Sequence, residues 1–408
     1  MMLRVIGALA AAVAVTAVFG GAASSAPART DRPLATITVD TLPIANALPL
    51  DLGIKKGFFQ AQGIEINKRT LQSGNDVVLA VANHNGEIGY LGWVPMMIAR
   101  TTGIKLTAVA ASEVEGTSVN DNWQNILVKG SSSIRNAKDL SGKTIAVNAL
   151  KGVGEVMIKA ALKKEGVDPG SIKLLALPFP SMRSALQNGQ VDAIWVPEPF
   201  LTQALNNDGA RIVMAPGPVL GKFWPIGGYA SLADWSKSNP DLARKFGAAI
   251  NQSLTYAQSH PSEIRELLPS GTQNVRLPIW SPVIDRGKLL QLAKYAKEYG
   301  VISTLPNLTQ LVPSSISGGK NLQGTVGDRF IALRLDGRGV KTLPAGRYTF
   351  VVTDTSKKRN FELVGPGVRK QTSVRGTGRS TWTVTLKKGK YTFMSRGRPT
   401  LKASFRVT

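Results

Sequence analysis

Residues 139–200 read DLSGKTIAVNALKGVGEVMIKAALKKEGVDPGSIKLLALPFPSMRSALQNGQVDAIWVPEPF. Thr144 to Val147 is a short apolar run. A glycine-containing turn, Lys151-Gly152-Val153-Gly154, leads from it into a helical pattern. Lys173 to Leu177 is a second strand, followed by a small helix that stops at Asn188-Gly189. Val191 to Val196, apolar apart from Asp192, is a third, and it ends at Pro197-Glu198-Pro199. Strand, helix, strand, helix, strand is the pattern of a parallel sheet covered by helices. Ligands of such sheets sit beyond the C-terminal strand ends. The stretch therefore predicts a pocket and offers residues to line it.

The same alternation holds upstream. Strands are expected at Ala35–Val39, Ile64–Arg69, Ile88–Leu91 and Leu106–Ala110, with helices at Ala47–Gln60, Asp76–Asn83 and Val94–Thr101. Ser112 to Trp123 is polar and reads as a loop. Gln124 to Lys129 reads as a strand crossing into a second lobe, and Ile226 to Ser231 as the return. Helices are expected again at Asp241–His260, Ser262–Leu268 and Arg286–Gly300. Two crossings between two lobes make a hinge. After Ser314-Ser315-Ile316-Ser317-Gly318-Gly319 the helical signal ends. Short runs such as Phe330–Leu335, Gly346–Thr353, Thr381–Leu386 and Ala403–Val407 then predict a small β-sandwich.

Several phrases resemble the solute-binding proteins of the nitrate/sulfonate/taurine class, the extracytoplasmic receptors of ABC importers. They are Asp139-Leu140-Ser141-Gly142-Lys143, Ala185 to Ala193, Pro197-Glu198-Pro199, Leu50 to Ile66 and Gly86 to Pro95. The resemblance implies an α/β, two-lobe periplasmic-binding-protein fold (type II) with hinge crossings, followed by the all-β sandwich. It divides the chain into lobe 1 (29–125 and 225–313), lobe 2 (126–224), a linker (314–321) and the sandwich (322–408). It implies a small-molecule ligand, a partner permease and ATPase, and no cofactor. The expected ligand is a small organic anion of the aliphatic sulfonate, taurine or nitrate type. Related receptors bind thiamine or riboflavin precursors or aromatic acids, and a ligand sensor at the cell wall without a transport role is a further alternative. The tail resembles a cupredoxin-like domain in Ala345 to Phe350, Phe361 to Gly367 and Gly389 to Phe393. The positions that match its copper ligands carry Arg359, Ser395, Arg398 and Leu401, so no type 1 copper site is expected.

Residues 1–28 read as a secretory signal peptide: Arg4, then an apolar run from Val5 to Phe19, then small residues ending at Ala28. The chain contains no cysteine, which excludes disulfides, thiolate metal sites and a lipid anchor on cysteine. An exported protein, periplasmic or associated with the cell wall, is expected. The formal net charge is +24. Residues 322–408 hold 19 Lys and Arg against 4 Asp and Glu, so the tail carries most of it. Such a module is drawn to polyanions. For an exported chain these are anionic wall polymers or lipid headgroups, and few aromatics for base stacking argue against nucleic acid.

Candidate ligand residues fall at strand ends and helix starts. Asp40 and Asn46 follow the first strand, and Asn46 can equally cap a helix. Ser73, Gly74 and Asn75 precede another helix, where they serve as caps or offer backbone N–H groups to an anion. Trp93 covers an apolar ligand tail or packs in the core. Gly152, Val153 and Gly154 open the next helix without the phosphate-loop pattern. Glu198 accepts from a ligand, locks the hinge or makes a structural hydrogen bond. Trp224 and Tyr229, near the return crossing, close a lid or pack it. An enzyme is not expected: neither His84 nor His260 sits in a triad phrase, and no cluster has metal-ligand spacing.

Overall fold

Alternating Ile37 and Val39 bury one face of the first strand, β1 (Ala35–Thr41), and both are fully inaccessible. Around it lie β2 (Ile64–Thr70), β3 (Ile88–Gly92) and β4 (Leu106–Ala111). The chain then leaves through β5 (Glu113–Val114) and builds a second sheet from β6 (Gln124–Val128), β7 (Thr144–Val147), β8 (Lys173–Ala176), β9 (Ala193–Pro197) and β10 (Arg211–Met214). It returns as β11 (Gly227–Leu232). The computed structural model describes residues 33–313, 320–335, 338–396, 398 and 400–408. The expected signal peptide and residues 314–319 of the expected linker lie outside these.

The two sheets follow one rule. The first has the order β2-β1-β3-β11-β4, and the second β8-β7-β9-β6-β10. Within each, the first three strands are parallel. In each, the crossing strand enters antiparallel beside the third: β11 against β3 and β4, β6 against β9 and β10. Each lobe thus takes one strand from the segment that joins it to the other. Separate apolar cores form around Leu50, Trp93 and Phe246 in the first lobe and around Ile145, Met182 and Ile194 in the second.

The two crossing segments run side by side. Val114 bridges Pro225, the Glu115 N–H donates to the Trp224 carbonyl at 2.8 Å, and that of Ile226 donates to the Glu113 carbonyl at 3.2 Å. β5 also pairs with Ile279–Trp280. The expected loop over Ser112–Trp123 is irregular over residues 115–123, and only Glu113–Val114 departs from it as a short strand. Ser112, Glu113, Glu115 and Asn122 are nevertheless buried, with one oxygen of Glu113, one of Glu115 and the Asn122 amide hydrogen-bonded within the hinge region.

Residues 34–408 form one compact unit. Its C-terminal part is two five-stranded sheets. One contains Lys320–Val326, Gly346–Asp354 and Gly378–Leu386, and the other Glu362–Gly365, Gly389–Met394 and Lys402–Val407. Phe350, Phe361, Tyr391 and Phe405 fill the space between them. Lys320 and Asn321, expected in the linker, belong to the first strand. Ser395, Arg398 and Leu401 share one turn, and the Ser395 hydroxyl accepts from the Asn360 N–H at 3.3 Å. The positions matched to copper ligands therefore lie close together and carry side chains unsuited to copper. Arg379 places its guanidinium 5.5 Å from the ring centroid of Phe223, joining the sandwich to the return crossing.

Candidate functional site

The C-terminal ends of β1, β3, β7 and β9 face one another across the gap between the lobes, and a cavity of about 50 Å³ lies there. Lobe 1 lines it with Leu42, Ile44, Asn46, Tyr90 and Ile226. Lobe 2 supplies Asn148, Phe179 and Trp195, and the crossing segment adds Trp123 and Gln124. Two helices point their N-termini at it. Gly74–Ala82 begins at Gly74, which lines the cavity, and Val153–Lys164 begins at Val153 beside its N-cap Gly152. Free N–H groups and the helix dipole favour negative charge at both. The Val153 helix has no side-chain cap. Gly92 and Val153 bring the lobes together, since a Cβ on Gly92 would sit 2.5 Å from Val153 Cγ2. At about 10–15 Å³ of such volume per water, the cavity holds only a few waters.

Polar groups gather at the hinge end of the cavity. Tyr90 donates its hydroxyl to Glu113 Oε1 at 2.8 Å, and Gln124 donates from Nε2 to Glu115 Oε1 at 2.5 Å. Burial pushes the Glu113 carboxyl up to about 6, with Ser112, Tyr90 and Asn46 nearby pulling it back. Burial pushes Glu115 further, to about 8, against the pull of Gln124 and Asn122. Asn46 is 1% exposed and lies beside the Glu113 carboxyl and the Tyr90 hydroxyl. Among the described residues, no Lys or Arg lines the cavity.

A larger cavity, of about 590 Å³, lies between lobe 1 and the sandwich, with Lys222, Trp280, Asp354 and Arg379 among its walls. It lies away from the strand ends of both lobes, where ligands of this sheet architecture converge. The cleft between the lobes is therefore the candidate site.

Comparison with known proteins agrees with the architecture. Residues 45–264 match the NMT1/THI5-like family, which is more than half of the chain. The chain belongs to the NMT1/THI5-like family. A taurine-binding periplasmic protein of Escherichia coli (strain K12) is 29% identical over 135 residues, covering 33% of this chain and 40% of that protein. The match thus spans less than half of that relative's length. Among solved structures, the alkanesulfonate-binding protein of Xanthomonas axonopodis pv. citri bound to MOPS has a TM-score of 0.59 at 19% identity, covering 69% of this chain and 99% of its own. The periplasmic nitrate-binding protein of Synechocystis PCC 6803 has a TM-score of 0.57 at 14% identity, covering 69% and 87%. Likeness at such identity establishes the fold: a two-lobe periplasmic-binding-protein architecture.

Within this family member, four of the expected residues line the cleft: Asn46, Gly74, Gly152 and Val153. Asn46 does not cap a helix. It lies in a short 3₁₀ turn, and the following helix starts after Ala47 with no side-chain cap. The other expected residues stand elsewhere. Asp40 is buried in a two-pronged pair with Arg69, at 2.8 and 2.9 Å, and its charge is already matched. Ser73 caps its helix, accepting from the Asp76 N–H at 3.2 Å, while Asn75 faces solvent. Trp93 and Tyr229 are core residues, 1% and 0% exposed, and Trp224 packs on Tyr295 with ring centroids 6.0 Å apart. Gly154 makes room for the Trp195 ring, which a Cβ would meet at 2.7 Å. The Glu198 carboxylate points away from the cleft and accepts from Thr202 and Arg276.

Sequence reasoning missed Tyr90, Trp123, Phe179 and Trp195, which make the cavity aromatic. It also missed Glu113 and Glu115. Trp195 shares a strand face with Pro197, two residues on at the strand end, and that parity was the available signal.

Proposed function

We propose that this protein is an extracytoplasmic receptor of an ABC importer, closing its two lobes on a small organic anion of the sulfonate or taurine type. The observation that carries the reading is the convergence of strand ends from both lobes on one aromatic cavity under two helix N-termini. The cavity volume of about 50 Å³ supports capture by closure, because an organic solute enters only when the lobes separate. The family relationship and the taurine-binding relative support the ligand class. Nitrate fits the helix termini but leaves the aromatic walls without a partner. Phe179 and Trp195, 6.3 Å apart between ring centroids, favour a flat organic ligand as the second reading, a pyrimidine precursor or an aromatic acid. No catalytic step is proposed. Thermal-shift titration with taurine, alkanesulfonates, nitrate, aromatic acids and pyrimidines tests the proposal. A true ligand at 100-fold over its Kd adds about 2.7 kcal/mol of stability. A flat response across all five classes overturns it.

The export expectation and the basic sandwich extend the proposal. Lys357, Lys358, Lys387, Lys388 and Lys390 are all exposed on the sandwich. They support retention of the receptor at an anionic wall polymer or lipid surface. Full-length mature protein is expected to pellet with anionic vesicles or isolated wall at about 10 mM salt and to leave them near 1 M, where charges are screened beyond about 3 Å. Protein that stays in the supernatant at low salt refutes the tether.

A further inference from the structure

We propose that the cavity of about 590 Å³ between lobe 1 and the sandwich is a second binding site, for an anionic sugar: a polyhydroxylated ring bearing a carboxylate or phosphate. The inference goes beyond the receptor reading, because no residue lines both this cavity and the cleft between the lobes.

The volume is that of a small-molecule site, which runs from about 300 to 1,000 Å³. Arg379 decides what such a site holds. Its side chain is half-buried, its guanidinium lies 5.5 Å from the Phe223 ring centroid, and its Nε is enclosed without a hydrogen bond. Among the described residues it has no ion pair, whereas Arg69 has Asp40 and Arg183 has Asp208. Burial pushes the Arg379 guanidinium down to about 10, with the Asp285 charge pulling it back, so it stays a cation at neutral pH. A cation drawn out of water without a paired anion favours an anionic ligand. A guanidinium meets a carboxylate or phosphate two-pronged.

The two acids in the wall do not answer it. Asp121 accepts from the N–H groups and hydroxyls of Thr117 and Ser118. Asp354 accepts from the Ser356 N–H and the Thr372 hydroxyl. Each carboxylate is thus engaged by other donors. Phe223 carries an independent observation. It holds φ 59°, a left-handed backbone that a bulky residue adopts only where its surroundings impose it. Lys222, beside it, lines the same cavity with an exposed side chain, so this turn brings a second cation to the wall.

The rest of the wall suits hydroxyl groups. Thr255 and Ser259, four apart on the helix Pro240–Ser259, donate to the Asn251 and Tyr256 carbonyls at 2.8 and 3.0 Å. Thr355, on the sandwich side, donates to the Val326 carbonyl at 3.1 Å. Each of these oxygens has spent its proton and keeps the capacity to accept. Sugar hydroxyls supply the matching donors. Trp280 adds an apolar surface for the C–H face of a ring. An alkyl anion would reach Arg379 and leave these acceptors unanswered.

The test is calorimetry on the full mature chain. Glucuronate and glucose 6-phosphate are set against glucose, which lacks the charge, and acetate, which lacks the hydroxyls. Both acid sugars are expected to bind at least about tenfold tighter than either control, the scale of a hydrogen bond to a charged group. Arg379→Gln is expected to weaken them by at least about tenfold. Lys222→Glu reverses a charge on an exposed side chain and is expected to weaken them about threefold or more. Acid sugars that bind no tighter than glucose or acetate overturn the site, and so does unchanged affinity in Arg379→Gln. Where Arg379→Gln does not fold, unchanged affinity in Lys222→Glu overturns it. With the site upheld, soluble polygalacturonate in competition separates the sources. Displacement of glucuronate assigns the ligand to a polymer, and its failure to a free sugar. Every one of these results leaves the receptor reading of the cleft intact.

Discussion

Replacing Glu115 with Gln is expected to stabilise the protein at pH 8 and to leave it unchanged near pH 4. The carboxyl lies in the hinge, fully buried, and burial holds its pKa at about 8 against 4.5 for the free group. Below pH 4.5 both native and unfolded states carry the proton, and the group adds no pH dependence. Between 4.5 and 8 the unfolded chain releases the proton while the native chain keeps it. Native stability therefore falls as pH rises across that window and levels off above it. The loss is on the order of 3–5 kcal/mol, from about 1.36 kcal/mol per pKa unit. Glutamine has the shape of the protonated acid and still accepts from Gln124 Nε2 through its own oxygen. The variant removes the titration and keeps the packing. Thermal unfolding of both proteins from pH 4 to 9 checks this. Curves that stay parallel throughout would show that Glu115 ionises normally and that the hinge is wetter than its burial indicates.

Periodicity made the two sheets legible because each strand lies between helices or turns with their own stop signals, such as Asn188-Gly189 before β9. Gly189 takes φ 73°, a backbone that glycine adopts without strain. The crossing strands were legible for the same reason. The hinge was not. Ser112, Glu113, Glu115, Asn122 and Gln124 carry the polarity of a surface loop, and hydrogen bonds from Tyr90 to Glu113, Gly116 to Asn122 and Gln124 to Glu115 make their burial tolerable. Those bonds join positions 6 to 23 residues apart with no helix or strand period to pair them, so one sequence gives no pairing signal. Asn46 was legible because it follows a strand at the end where ligands gather. Trp93 misled for a related reason. It also follows a strand end, but it is the first residue of its helix, and its ring packs over Gly228 at about 3.0 Å from a would-be Cβ. In β9, both faces are buried, so apolar alternation is absent and only parity with Pro197 at the strand end marks Trp195.

Glu198→Ala is expected to cost about 3–5 kcal/mol, among the largest single-residue losses in the first two domains. The residue sits where β9 ends, and every polar group it has is used, its carboxylate both within the second lobe and towards Arg276. Its N–H donates to the Trp123 carbonyl at 2.9 Å, and its carbonyl accepts from the Ala45 N–H at 3.0 Å. Its carboxylate accepts from the Thr202 N–H at 3.0 Å, the Thr202 hydroxyl at 2.8 Å and the Arg276 N–H at 3.0 Å. Burial raises its pKa, against the lowering effect of those donors. Alanine keeps the backbone bonds but leaves the buried Thr202 N–H and the half-buried Arg276 N–H without their acceptor, and an orphaned buried donor costs about 1–3 kcal/mol. Glutamine retains one accepting oxygen, so Glu198→Gln should lose less than half as much. The bond to Arg276 ties the end of the second lobe's strand to a segment packed on the first lobe. Its loss is expected to loosen the closed arrangement as well as the fold. Urea unfolding reads the first effect, and the radius of gyration in solution reads the second. If Glu198→Ala matches the wild type in urea, the carboxylate is not holding the lobes, and the role of a ligand contact at this residue returns to consideration. If stability falls while the radius stays fixed, the contact braces the second lobe without governing its movement.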